Sequence, residues 1–335
     1  IDGSNAGVAK ISGVGGTFDK ANVLNAEDKK LSLDFETLTL GTDSFEIKGG
    51  AAVVARKTLT IGDGSKNLTI SKGQVDLEGV DGSSGNSVAA GKITLGAGTT
   101  SAGILKVNAG EWTVKGLEIV SGAATVANDA VLKITGDLTT KDENNQLTAK
   151  NTATIDASKA VTIKLLASGT KLENSATLIL AKDDVFNASG EVINTAFADN
   201  AVVGAANSTI NIMDGDKLAT MSREKFENFS KKSGFKGLWG VTIDNLVPEN
   251  TTEMEIGASS GGMIAGVVTG YEDVQAKVSS PITGNYSAGS VVVTSGDNLE
   301  IGASGGMTLQ NANAHDKDGM FVSKPGATSG ASAQL

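Results

Sequence analysis

The sequence predicts an all-β fold, a right-handed parallel β-helix, and three observations carry that prediction. Short triplets of apolar, polar and apolar residues recur from Leu31 to about Ile243, Gly, Asn, Asp and Ser separate them, and no proline occurs before Pro248. A β-sandwich of many short strands is the competing architecture.

The triplets include Leu59-Thr60-Ile61, Leu68-Thr69-Ile70, Val75-Asp76-Leu77, Ile93-Thr94-Leu95, Trp112-Thr113-Val114, Leu117-Glu118-Ile119 and Leu132-Lys133-Ile134. Successive strand side chains point to opposite faces, so each triplet buries its two ends and wets its middle residue. Ile61, Ile70, Leu77, Leu95, Val114, Ile134 and Ile163 are therefore expected in the core. The strands start too close together for the fuller strands of a sandwich; three of them would make one coil of about 20 to 27 residues. Glycines at Gly62, Gly64, Gly79, Gly96, Gly98 and Gly122 suit corners that need positive φ. Proline cannot donate to a ladder, so its absence fits strands paired on both sides.

Residues 1–30 read as a cap or irregular lead-in, 31–245 as coils, 246–325 as a further β-rich region and 326–335 as a flexible tail. The chain opens on Ile1 instead of Met, which reads as a processed or excised segment. One helix interrupts the coils near 222–234, inside an insertion spanning 222–239. Ser222 is its N-cap, Glu224 suits its first turn, Lys231 and Lys232 its last, and Gly234 offers a left-handed stop. Phe226, Phe229, Phe235 and Trp239 then cover apolar coil surface; in the rival reading Phe226, Phe229 and Trp239 are exposed and grip a partner. Glu255-Ile-Gly-Ala-Ser-Ser-Gly-Gly-Met263 repeats as Glu300-Ile-Gly-Ala-Ser-Gly-Gly-Met307, which implies two coils or two hairpins of related shape.

Composition excludes several function classes. A formal charge of −10 repels phosphate backbones, which argues against a nucleic-acid partner. With no cysteine, thiolate catalysis, disulfides and Cys-based metal centres are closed. No stretch reaches the roughly 18 apolar residues of a membrane helix. His315, the only histidine, stands in a polar stretch and makes a poor catalytic base. Asp63, Asp81, Asp214 and Asp216 are the carboxylates from which a glycosidase-type pair would be drawn, but aromatics are only 4% of the chain, too few to line a sugar cleft. Asp214-Gly215-Asp216 and Asp142-Glu143-Asn144-Asn145 are weak calcium candidates, and turns are the simpler reading of both. No other cofactor is expected. The six Asn-x-Ser/Thr sequons (Asn67, Asn187, Asn207, Asn228, Asn250 and Asn285) are near the number chance gives for such a composition.

The triplets with Gly/Asn corners, the missing cysteine and the low aromatic content resemble the passenger domains of autotransporter adhesins over roughly residues 31–245. S-layer proteins share the composition. The resemblance implies an extracellular or cell-surface location and contact with a cell-surface or matrix ligand or with copies of the chain itself. The expected function is therefore a non-catalytic adhesin or rigid spacer. A self-assembling S-layer or filament subunit, hence a homo-oligomer, is the first alternative, and a carbohydrate-active tailspike or lyase the second. The outward residues Thr60, Thr69, Asp76, Thr94, Lys106, Thr113, Glu118 and Lys133 are expected to form the contact face.

Overall fold

The structure, a computed structural model, describes residues 8–27, 30–80, 82–98, 102–141, 146–193 and 196–244, together with short strands between 253 and 333. It divides into two units, Ile1–Asn187 with Val192–Val203, and Ala188–Glu191 with Gly204–Leu335.

The first unit is a right-handed parallel β-helix, and the chain's solenoid runs for about seven turns. One face is a seven-stranded sheet made of Val23–Asn25, Phe45–Lys48, Leu68–Ile70, Ile93–Leu95, Leu117–Ile119, Asp137–Thr140 and Thr162–Lys164. All its pairings are parallel. From Leu68 the register steps to Ile93, Leu117, Leu138 and Ile163, so a coil takes roughly 21 to 25 residues. The other two faces meet at a corner inside the long strands Val8–Phe18, Lys30–Leu40 and Ala51–Ile61. In Lys30–Leu40 two adjacent outward residues, Glu36 and Thr37, mark that corner and shift the buried set from Leu31, Leu33 and Phe35 to Leu38 and Leu40. Later coils divide the same path between two strands, as in Gly73–Glu78 and Asn86–Ala89.

The core is aliphatic and dry. Ile61, Ile70, Leu77, Leu95, Val114 and Ile134 are fully buried and Ile163 nearly so, as the alternation predicts. The backbone follows one rule: the carbonyl of an inward residue accepts from the following coil. Phe18 accepts from Gly41 at 2.8 Å, Leu40 from Gly62 at 2.9 Å, Ile70 from Gly96 at 2.8 Å and Leu95 from Val120 at 2.9 Å.

One expectation about the boundaries is corrected within the described residues: 8–18 and 23–25 are not irregular, because Val8–Phe18 already pairs with Lys30–Leu40 and Val23–Asn25 with Phe45–Lys48. The sequence hid this by supplying glycines, Gly13 and Gly16, at inward positions where the next coil places Phe35 and Leu38. Parallel pairing continues among the described strands after 245. In the second unit Thr220–Ser222 pairs with Thr242–Asp244, and Glu253–Glu255 pairs with Gln275–Val278, which pairs with Asn298–Ile301. Glu255 is level with Lys277 and Lys277 with Glu300, so the internal repeat spans two coils. Ala331–Ala333 is likewise a strand within the expected tail.

The helix runs over Arg223–Ser233. Ser222 Oγ accepts from the Lys225 N–H at 3.4 Å and Gly234 closes it at φ 62°. Strands after the helix resume the ladder, Leu238–Gly240 on Thr209–Asp214 and Thr242–Asp244 on Thr220–Ser222, so the helix is an excursion within a coil.

Candidate functional site

Parallel register turns the polar middle residues of the triplets into columns along the outside of the first unit. On the seven-stranded face Glu46, Thr69, Thr94, Glu118 and Thr139 stand in line. A second face carries Thr37, Thr58, Ser87, Thr113 and Lys133. The third carries Asp34, Val54, Asp76, Lys106, Thr125 and Thr148. Neighbours in a column are about 4.8 Å apart, the spacing between strands. The eight residues expected to form one contact face therefore lie on three. Thr69, Thr94 and Glu118 share one, Thr113 and Lys133 another with Thr60 beside their column, and Asp76 and Lys106 the third. A single flat face of all eight is corrected by the two corners that each coil turns between them.

Ion pairs bridge adjacent coils on these surfaces. Glu118 accepts from Lys141 and from Lys92, which together hold its carboxyl below the usual range. Glu111 pairs with Lys133 at 2.9 Å. At the first corner Asp34 accepts from Arg56 and from Lys10, the latter at 2.8 Å, and the Arg56 guanidinium foremost lowers its carboxyl to about 2. Sequence reading missed this triad because its members lie on three successive coils, and only the coil period brings them together.

It also missed a ladder of side-chain amides. Asn151 Nδ2 donates to Asn128 Oδ1 at 2.6 Å, and Asn174 Nδ2 donates to Asn151 Oδ1. Asn151 and Asn174 adopt φ of 49° and 48°, left-handed conformations that Asn tolerates better than most residues. The findable signal was an Asn-x-Ala motif at Asn128, Asn151 and Asn174, evenly spaced and recurring once per coil.

The calcium candidates Asp214 and Asp216 flank Gly215 at the tip of an antiparallel hairpin in the second unit, where Asp214 is level with Lys217. Both are exposed, and Gly215 takes φ 64°. Among the described residues no three His, Cys, Asp or Glu side chains are grouped to hold a metal ion. Asp63 is also a turn residue: its carboxylate accepts from the Ser65 N–H at 2.9 Å and the Ser65 hydroxyl at 2.6 Å. Asp81, residues 142–145, His315 and the sequons at Asn250 and Asn285 lie outside the described residues. Among the described residues Asp184 is the one carboxyl raised above its usual value, by burial first and by Asp183 second.

Phe226, Phe229 and Trp239, read in one version as exposed grips, are buried, with Trp239 only 1% exposed. Trp239 is level with the core residue Ile210, and Phe229 and Phe235 each place a ring edge-on to it at 4.9 Å, with Phe226 at 6.3 Å. The exposed-grip reading is corrected on that ground: these rings satisfy one another inside the second unit. Gly237 leaves room for the Phe235 ring, since a β-carbon there would collide with Phe235 Cζ.

Among the described residues no helix is long and apolar enough to cross a membrane. No protein-family model, curated protein or solved structure matches the chain.

Proposed function

We propose that the chain is a non-catalytic extracellular surface protein, an adhesin or rigid spacer that presents its outward columns to a cell-surface or matrix ligand. The observation that supports this reading is the column Thr37, Thr58, Ser87 and Thr113, a row of hydroxyls repeating at the strand spacing with no charge among them. In a chain of net charge −10 such a row is where a neutral, repetitive surface approaches at least electrostatic cost. Many weak contacts along a stiff row then add up as multivalent attachment.

Binding of the full chain to immobilised cells and to matrix proteins and glycans tests the reading. Replacing Thr58 and Thr113 together with Glu should cut adherence by about tenfold, roughly 1.4 kcal/mol, without lowering the melting temperature. Undiminished adherence, or turnover of a polysaccharide by the chain, overturns the reading.

A further inference from the structure

The chain contains no Asn-Gly pair and three Asn-Ser pairs, at Asn86, Asn174 and Asn207. These pairs matter chemically, because the backbone nitrogen after an asparagine can attack its side-chain amide, and a small following side chain leaves that nitrogen open. The structure separates the three. Asn86 is 5% exposed, its Nδ2 donates to Ser83 Oγ at 2.8 Å and to the Glu111 carbonyl at 3.0 Å, and Ser87 lies inside a strand paired on both sides. After Asn207 the attacking nitrogen is engaged: the Ser208 N–H donates to the Ala205 carbonyl at 3.0 Å, and Ser208 is fully buried. Asn174 and Ser175 are both exposed. They form the centre of the turn that the Ala176 N–H closes on the Glu173 carbonyl at 3.0 Å, and the Ser175 N–H meets no acceptor among the described residues.

The amide ladder makes the same selection within its own column. Asn151 is held on both sides, since its Nδ2 donates to Asn128 and its Oδ1 accepts from Asn174. The residue after it, Thr152, is β-branched and crowds its own backbone nitrogen. After Asn128 the Asp129 N–H donates to Thr152 Oγ1 at 3.1 Å, which withdraws that nitrogen from attack. Asn174 is held through Nδ2 alone, and the nitrogen that follows it is unhindered. Its turn is exposed and left-handed, with φ 48°, and local opening is cheapest in such segments.

We propose that Asn174 is a site of spontaneous deamidation, a covalent modification that severs the end of the amide ladder. The Ser175 nitrogen gives its proton to hydroxide and bonds to Asn174 Cγ; the Cγ–Nδ2 bond breaks, and the amide nitrogen takes a proton from water and leaves as ammonia. Water then opens the cyclic imide at either carbonyl, giving aspartate or isoaspartate. Both products replace the Nδ2 donor with a carboxylate, so two acceptors face each other at Asn151 Oδ1. Isoaspartate also adds a methylene to the backbone between Thr170–Leu172 and Thr177–Ala181. The modification does not depend on whether the outward columns bind a ligand.

Ageing the full chain at mildly alkaline pH tests it, read by peptide mapping with mass spectrometry and an isoaspartate assay, with circular dichroism melts confirming that each variant is folded. Position 174 should lose its amide at least about tenfold faster than positions 86, 128, 151 and 207. Ageing in denaturant should remove its lead over Asn86 and Asn207, because the three Asn-Ser pairs are then alike. Ser175→Val crowds the attacking nitrogen and should slow conversion at 174 by about tenfold. Asn174→Asp, made directly, should lower the melting temperature as the ladder contact is lost. An amide retained at 174, a lead over Asn86 and Asn207 that is absent in the fold or survives in denaturant, a rate indifferent to Ser175→Val, or an Asn174→Asp chain as stable as the unaltered one overturns the proposal.

Discussion

The ring of Phe35 lies against the backbone of Gly16: a β-carbon on that glycine would fall 2.7 Å from Phe35 Cε1. Phe18 meets the same ring edge-on at 5.7 Å. The first described coil is thereby filled from its neighbour, since Gly13 and Gly16 contribute no side chain and Phe35 occupies the space they leave. Gly16→Ala should push the ring aside and cost about 1 to 3 kcal/mol by overpacking. Gly15→Ala, where a β-carbon meets nothing within 4 Å, should be close to neutral in the same denaturant titration. Equal losses would show that Phe35 does not fill that space.

Acid should expose the Asp34 triad. The carboxyl is held at about 2 in the fold, against an ordinary 3.8. As pH falls the unfolded chain therefore takes up its proton first, so the stabilisation is complete above about pH 4 and disappears between there and about pH 2. It amounts to at most about 2 kcal/mol, discounted because the Arg56 side chain is 42% exposed. Asp34→Asn should flatten this part of the stability curve. An unchanged acid limb in the variant would contradict the assignment.

The amide ladder separates two contributions at one residue. Asn151→Ala loses both side-chain hydrogen bonds and forces alanine into the left-handed conformation at φ 49°, which should cost about 1 to 3 kcal/mol. Asn151→Gly keeps the left-handed backbone and loses only the ladder, so it should cost less. Calorimetry in which glycine is as damaging as alanine would place the whole effect in the side-chain bonds.

The sequence revealed the coil before it revealed the surface. Burial at Ile61, Ile70, Leu77 and Leu95 was legible because the period of a strand is local, two residues, and needs no partner to be seen. The Asp34, Arg56 and Lys10 triad and the stacked asparagines were not. They join residues a full coil apart, and because the coil length wavers elsewhere (the step from Leu117 to Leu138 is shorter than the step from Leu68 to Ile93), even the regular Asn-x-Ala spacing has no fixed period to be matched against until the coil is seen. The first coil escaped for a different reason: its inward positions at Gly13 and Gly16 carry no apolar signal. At Trp239 composition showed an aromatic cluster, but only the register with Ile210 shows that it faces inward.

Because Phe229 and Phe235 pack on Trp239, the helix should be held by that cluster rather than by its own propensity. Phe229→Ala should cost about 3 to 5 kcal/mol and red-shift the Trp239 emission as water reaches the indole. Emission and stability both unchanged would contradict the packing.

The central claim is parallel stacking in the stated register, and the chain's lack of cysteine makes it directly measurable. Thr69 and Thr94 are level on neighbouring strands of one face, whereas Thr113 belongs to another. Parallel partners sit about 4.8 Å apart, within the span a disulfide bridges. Thr69→Cys with Thr94→Cys should form an intramolecular disulfide on mild oxidation, read by mass spectrometry of the digest, while Thr94→Cys with Thr113→Cys should stay reduced. A bridge between positions 94 and 113, or none between 69 and 94 in folded protein, would contradict the parallel β-helix.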